Sequence, residues 1–418
     1  MKLLTMPYAM LQRLFRGNLF TANEMRMAVG ESNWAGNREW LLRTVRSGEN
    51  QPYFSVFVNN DFAVADKLPE DCVGAVVFGR HYRCGDWHAI VRGDSGVEPI
   101  DRLKLVGPGM HILHHPWRQS LPIKTAKESL ITERWSRTIG ALGVDVFQRL
   151  RRLRYGIIGL GRTGSDIALG LRTAWGASRL TLIDPDIVEE HNLGESVGLC
   201  PKDIGLPKVQ VIARHLRSSE FPSLRLKLCR ESITHRKIFW AAQGCDILVG
   251  CVDHDSARLA ANILAALFYK PYLDIATGVQ SLDGNRRMGA DIRLMIPGEA
   301  CVLCLGGLAD SVAARRVLSS ANAEQAFYIH RDWRHERAGS LRSLNHLAAS
   351  LAMRLLEDFV GERVTSSIWL HVEYDPDGRL SLWQRPPTLT EHCPLCGELA
   401  GMGTSGMAQA TALLHGSY

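Results

Sequence analysis

No stretch of the 418 residues approaches the roughly 20 consecutive apolar positions that a bilayer-spanning helix needs. The N-terminal "MKLLTMPYAMLQRLFRGN" is broken by Gln12, Arg13 and Arg16 before a secretory apolar region can form. A Gly-x-x-x-x-Gly-Lys-[Ser/Thr] loop is absent, which excludes a P-loop kinase or ATPase. No internal repeat and no recognised nucleic-acid-binding motif is present, and the excess of basic over acidic residues, 49 against 43, demands no anionic partner. "QRLRRLR" (148–154) is dense in arginine, a pattern that fits the solvated face of a helix as well as a binding patch. Four of the ten cysteines form two Cys-x-x-Cys pairs and the others are scattered, as suits free thiols in a reducing compartment. These features lead to the expectation of a cytoplasmic protein that engages neither membrane nor nucleic acid.

Residues 1–125 carry short β-like runs at 53–60, 72–80, 87–94 and 101–115, followed by a Pro-containing linker at 114–129. A smaller N-terminal α+β accessory domain is therefore expected, with a boundary near 125. From there to about residue 390 strand and helix signals alternate: "RYGIIGL" then a helix, "RLTLID", "DIGLPKVQVIARHLRS", "CDILVGCVD", "DSARLAANILAALFY", "PYLDIATGV". That order predicts an α/β fold, a Rossmann-like, doubly wound, mostly parallel sheet, over 126–399. The Gly/Ser/Ala-rich 400–418 is expected to be a flexible tail.

In "RYGIIGLGRTGSD" (154–166) a β-branched run gives way to Gly159, Gly161 and Gly164, where the backbone can turn sharply and approach a phosphate at a helix N-terminus. Asp184, at the end of the next strand, stands where an acid grips ribose hydroxyls. Glycines and Asp184 alone serve NAD as well as ATP, so an NAD-dependent oxidoreductase stays open at this point. The residues that follow discriminate. "LIDPDIVEEHNLGES" supplies Asp184, Asp186, Val188, Glu189, Asn192 and Leu193; "DIGLPKVQV" supplies Gly205 and Lys208; "GCVDHDSARLAAN" supplies Asp253. Together, over roughly 130–398, they resemble the ThiF/MoeB/HesA family of adenylating enzymes, related to the ubiquitin-activating enzymes.

That resemblance implies ATP and Mg²⁺ as cofactors, and adenylation of the C-terminal carboxylate of a ubiquitin-like or sulfur-carrier protein ending in glycine. Attack of a carboxylate on the α-phosphorus brings two anions together, so cations matter more than a general base. Lys208 is assigned to phosphate charge and Asp253 to Mg²⁺, with Gly159, Gly161, Arg162, Gly164, Asp184, Asp186 and Asn192 around the nucleotide. "ERWSRTIGALG" (133–143) resembles the segment whose arginine reaches the partner's triphosphate, which makes Arg137, with Arg134 second, a trans finger and implies a homodimer. Where relatives read Asn-Leu-x-Arg, this chain reads Asn192-Leu193-Gly194-Glu195, and Arg162 is the candidate replacement for the lost charge. An inactive adapter of the same fold is the alternative that Glu195 keeps open.

Cys301/Cys304 and Cys393/Cys396 can present four thiolates to a structural Zn²⁺, as in the resembled family; a redox dithiol fits the same spacing. Residues 305–392 hold no cysteine, so adenylation without a self-thioester is expected, with Cys200 the nearest exposed alternative nucleophile. Asn345, in "GSLRSLNHLAASLAMRLLEDF", is placed either at the substrate's tail or in the core. "EDCVGAVVFGRHYRCGDWHAIVRGD" (70–94) faintly resembles JAB-type metalloproteases, but His81, His88 and Asp94 lack that spacing, so a non-catalytic, partner-binding or dimerising module is expected.

Overall fold

The computed structural model describes residues 2–10, 26–34, 37–45, 76–80, 87–93, 96–114, 133–194, 196, 198–218, 224–282, 285–308, 341–387 and 393–415. The expected strand at 53–60, most of the linker, and His81, Asp94 and Glu195 lie outside them.

Among the described residues eight strands come first. β1 (Lys2–Pro7), β2 (Arg26–Trp34) and β3 (Asn37–Val45) belong to one sheet; β4 (Val76–Arg80), β5 (Trp87–Gly93) and β6 (Gly96–Pro99) form a separate antiparallel one. β7 (Arg102–Val106) and β8 (His111–His114) complete the first, in the order β2-β3-β1-β7-β8, with β1 parallel to both of its neighbours. Among the described residues helix appears here only at 8–10.

Helices α1 (Ser136–Leu142) and α2 (Val144–Arg152) lead into the main sheet. β9 (Arg154–Ile158) is followed by α3 (Arg162–Trp175), β10 (Arg179–Ile183), α4 (Lys208–Ser218), β11 (Arg225–Cys229), α5 (Arg236–Gln243), β12 (Ile247–Gly250), α6 (Asp255–Leu267) and β13 (Tyr272–Leu282). These five strands are parallel in the order β11-β10-β9-β12-β13, so the winding reverses between β9 and β12, where open α/β sheets bind ligands. The central strands β9 and β12 are buried almost throughout, as expected with helices on both faces, while the edge strand β11 is half-exposed. Beyond β13 the sheet turns antiparallel through β14 (Asn285–Met295), β15 (Ile368–Tyr374) and β16 (Leu380–Arg385), an extension that the strand–helix alternation did not foretell. Helix α7 (Arg342–Val360) lies against α3, β13 and β14.

The two sheets meet through buried charge. Asp246, just before β12, accepts from the Lys104 ammonium of β7 at 2.7 Å and from Arg154 through Nε, Nη2 and the backbone N–H at 3.0, 2.7 and 3.0 Å. Burial alone would raise the Asp246 carboxyl, but Lys104 and Arg154 hold it far below the usual carboxylate range. A depressed acid stabilises the fold above its unfolded value, so this contribution is complete above about pH 5 and lost on acidification. Lys104→Met is expected to destabilise by about 3 kcal/mol in urea unfolding at pH 7, with a smaller loss at pH 3.

The arginines of the arginine-dense run are half-buried or exposed, and three of them are engaged within the chain. Arg149 donates to the Gly109 carbonyl (2.9 Å) and to Glu362, Arg151 lies 5.5 Å over the Trp135 ring, and Arg154 pairs with Asp246. The segment expected to be a flexible tail is also built into the fold through residue 415. Gly401 and Gly403, both at positive φ, donate to the carbonyls of Ala266 and Leu267 at 3.0 and 2.9 Å, Met402 is buried, and α8 (Met407–His415) follows. The glycines that suggested flexibility serve close approach: a Cβ at Gly401 would strike the Tyr269 ring.

Candidate functional site

The glycine turn closes the C-terminal end of β9. Gly159 adopts φ +84°, and a Cβ there would stand 2.5 Å from the Cys251 carbonyl oxygen; one at Gly164 would strike the Gly159 carbonyl. Both positions therefore need glycine so that β9, α3 and the end of β12 can pack together. A Cβ at Gly161 would meet nothing within 4 Å, and no side chain caps α3 at this residue. The N-terminus of a 14-residue helix thus opens onto free space, suited to an anion. Arg162 heads that helix, half-buried.

Asp184 ties the turn down. It is buried, and its carboxylate accepts from the N–H groups of Leu160 (2.5 Å) and Asp186 (2.8 Å). Burial, with Asp186 adding to it and Lys208 opposing, pushes its carboxyl up to about 6. Lys208 begins α4; its Nζ donates to Asp186 Oδ2 at 2.8 Å and its N–H to the Asp186 carbonyl at 2.9 Å. Burial would lower the Lys208 ammonium, but Asp184, Asp186 and Asp253 together raise it. Asp253, exposed, follows β12 on the other side of the sheet reversal. The structure thus brings Asp184, Asp186, Lys208 and Asp253 together around the glycine turn.

Other expected positions are placed differently. Asn192 Oδ1 accepts from the Glu189 N–H at 3.0 Å and closes a short 3₁₀ turn. His254, next to Asp253, caps α6, its Nδ1 accepting from the Ala257 N–H, and Asp255 pairs with Arg258 at 2.8 Å. Arg134 and Arg137 are exposed beside Trp135, whose indole N–H donates to the Thr173 carbonyl. Thr173 lies near the far end of α3, about 16 Å along its axis from Arg162. The Trp135 anchor thus ties the segment bearing Arg137 to the end of α3 away from the glycine turn.

The sequence points to one buried polar group, Asn345, as either a core residue or a contact for the substrate's tail, and a second, built on Asp274, escapes it. Asn345 accepts from the hydroxyls of Thr163 (3.0 Å) and Thr277 (2.7 Å) and donates to the Leu341 carbonyl, bracing α3 against β13 and α7. That arrangement places Asn345 in the core rather than at an open surface. Arg258 and Arg293 both donate to the fully buried Asp274, at 2.8 and 3.2 Å. A charge inside the apolar "DSARLAANILAALFY" and another inside "PYLDIATGV" were the available signals.

The four paired cysteines converge. Their Sγ atoms lie within 4.8 Å of one another, at 3.7 Å for Cys301–Cys304, 3.3 Å for Cys301–Cys393 and 3.6 Å for Cys304–Cys396. Four thiolates about 2.3 Å from a tetrahedral Zn²⁺ stand roughly 3.8 Å apart, so the set fits that ion with no position left open. Cys200 donates to the Asp203 carboxylate at 3.0 Å, which raises its thiol, and burial raises Cys229, Cys245 and Cys251. Raised thiols are poor nucleophiles near neutral pH.

A model of the ThiF family matches residues 135–367, more than half of the chain. Ubiquitin-like modifier-activating enzyme 5 of Arabidopsis thaliana is 26% identical over 209 residues, covering 46% of this chain and 47% of that protein. A probable adenylyltransferase/sulfurtransferase MoeZ of Mycobacterium tuberculosis (strain CDC 1551 / Oshkosh) is 31% identical over 132 residues, 32% of this chain and 33% of its own. The chain thus spans about half or less of the length of these curated relatives. The crystal structure of E. coli MccB with succinimide shares the fold, with a TM-score of 0.50 and 20% identity over 65% of this chain and 76% of that one.

Proposed function

The chain belongs to the ThiF family, and we propose on that footing that it adenylates the C-terminal carboxylate of a ubiquitin-like or sulfur-carrier protein ending in glycine. The carboxylate oxygen attacks the α-phosphorus of ATP, an acyl–AMP anhydride forms, and the bond to the β-phosphate breaks to release pyrophosphate. One observation carries this reading: the Lys208 ammonium sits among Asp184, Asp186 and Asp253 beside an open helix N-terminus. A hydride-transferring NAD site has no need of a lysine and a metal-binding acid at that place, and similarity to an activating enzyme and an adenylyltransferase favours adenylation over it.

In this reading α3 receives phosphate oxygens at Gly161 and Arg162, Asp184 holds the ribose, and Lys208 offsets charge on the departing pyrophosphate. Asp253 would hold Mg²⁺ through a hard carboxylate oxygen, and the ion would supply positive charge against the phosphates. The tetra-cysteine set holds a structural Zn²⁺, and the raised thiols elsewhere favour acyl–AMP formation without a self-thioester. The N-terminal sheets serve as an accessory domain without chemistry of their own. The test is ATP–pyrophosphate exchange with a purified protein of that class; exchange dependent on the partner's terminal glycine is expected, and bound NAD with no exchange would overturn the proposal.

Asp184 gives this site a pH signature. Ribose hydroxyls donate to the ionised carboxylate, which in the free protein forms only above about pH 6. ATP affinity is therefore expected to be constant above about pH 7 and to fall up to tenfold per unit below about 6, measured by calorimetric titration. Fold stability responds in the opposite direction, because an acid with a raised value favours the folded state at low pH and loses that contribution as pH rises through 6.

Arg137 acts in a homodimer, reaching the partner's triphosphate, with Arg134 as the alternative. Arg137→Ala is expected to lower exchange at least about a hundredfold, toward the range of other transferred arginines. Mixing inactive Arg137→Ala with inactive Asp253→Ala is expected to restore activity, since a mixed dimer holds one complete site; no recovery after subunit exchange would place Arg137 outside the site.

A further inference from the structure

The tetra-cysteine loop and the loop bearing Asp253 are joined by one side chain. Arg258 donates through Nε to Asp274 (2.8 Å), through Nη1 to Asp255 (2.8 Å) and to the Gly307 carbonyl (3.1 Å), and through Nη2 to the Val252 carbonyl (3.2 Å). Gly307 closes the knuckle that begins at Cys301, its N–H donating to the Val302 carbonyl at 2.8 Å, while Val252 immediately precedes Asp253. The knuckle is held from a second side: Arg293 Nε donates to the Leu305 carbonyl at 3.2 Å, and Asn262, one turn beyond Arg258 on α6, accepts from the Val302 N–H. Asp274 fixes both guanidinium groups by accepting from each.

A guanidinium is planar and presents its N–H groups as a rigid fork, so Arg258 cannot release one acceptor without turning away from the others. Asp253 itself is exposed and follows a strand of only four residues. Its backbone needs an external anchor if the carboxylate is to meet a small octahedral cation at the required distance.

We infer that Arg258 is a positioning residue that transmits the geometry of the cysteine knuckle to the Asp253 carboxylate, so that the metal requirement of nucleotide binding depends on the knuckle. This rests on the nucleotide site proposed above. Arg258→Lys keeps the charge beside Asp274, and with it the buried ion balance, but a single ammonium cannot span Val252, Gly307 and Asp255 together. Loss of an outer partner of a metal ligand commonly weakens metal affinity 10–100-fold.

Full-length protein is titrated with Mg²⁺ at a fixed concentration of a fluorescent, non-hydrolysable ATP analogue. Arg258→Lys is expected to raise the Mg²⁺ concentration for half-maximal binding about tenfold at a temperature where the variant is fully folded, with unchanged metal-free binding. Removal of zinc from the wild-type protein with a zinc-selective chelator is expected to raise it similarly, and to raise it no further in Arg258→Lys. An unchanged Mg²⁺ requirement in the folded variant overturns the inference. If Arg258→Lys does not fold, hydrogen exchange at 251–255 in wild-type protein decides: faster exchange on zinc removal supports the coupling and unaltered exchange overturns it. Wild-type protein that binds no nucleotide at any Mg²⁺ concentration instead overturns the nucleotide site, and the coupling with it.

Discussion

Asp253→Ala is expected to reduce ATP–pyrophosphate exchange by about a thousandfold or more while leaving the unfolding midpoint within about 0.5 kcal/mol of wild type. The two halves of that expectation have different origins. Asp253 is exposed at the end of β12, and surface substitutions away from caps and cores change stability little. In the proposed site its place beside the glycine turn, near Lys208, is where charge would build on the phosphates during attack; removing one group aimed at such charge costs about 10²–10³ in rate, and loss of the metal with it would add to that. A metal ligand contributes to substrate charge as well as to the transition state, so both kcat and the KM for MgATP are expected to change. Lys208→Ala makes the complementary case. Without the ammonium, Asp184, Asp186 and Asp253 face the incoming triphosphate uncompensated, and exchange is expected to fall by a comparable factor with a marked rise in KM. Exchange that survives both substitutions would leave the adapter reading in place.

The parts of this site that could be read from sequence are those in which a residue type is required at a fixed distance along the chain. Gly159 and Gly164 are forced by close backbone approach, and Asp184 and Lys208 by what each must reach from a strand end or a helix start. The two Cys-x-x-Cys pairs were legible for the same reason, since each pair sits on one tight turn. What escaped was non-local. β1 lies between β3 and β7, pairing Leu3 with both Glu39 and Arg102, and no local periodicity reports such a neighbour. β14 pairs antiparallel with β13, and β15 and β16 extend the sheet from far along the chain, whereas a βα rhythm announces only parallel strands joined by helices. The capping of α6 depended on side-chain direction: two acids flank His254, yet the imidazole is the group that meets the Ala257 N–H. Buried pairs such as Arg258–Asp274 left only a faint trace, a charge where an apolar residue was expected, because the partner is set by the fold.

Serine at Cys393 and Cys396 is expected to abolish zinc binding and to cost at least about 4 kcal/mol in denaturant unfolding. A zinc held by the four thiolates would join two turns separated by the 88 residues 305–392, and closing a loop of that length would remove roughly 4–5 kcal/mol of chain entropy from the unfolded state. Direct zinc affinity in small domains is larger, about 10–16 kcal/mol, but part of it is offset by ordering ligands that the unfolded chain leaves mobile. The segment does not depend on metal alone. Leu395, Leu399 and Met402 are buried, and the backbone bonds from Gly401 and Gly403 to α6 persist without zinc. The parallel sheet is therefore expected to remain folded while the segment from Cys393 to His415 loosens, giving two unfolding transitions in place of one. Metal analysis of wild-type protein should find one zinc per chain and of the variant none, and hydrogen exchange should rise first at 393–415 and at 301–307, the two turns the ion ties together. A variant that keeps its zinc, or that loses it with a single unchanged transition, would show that the four thiols are held by packing around them rather than by a shared ion.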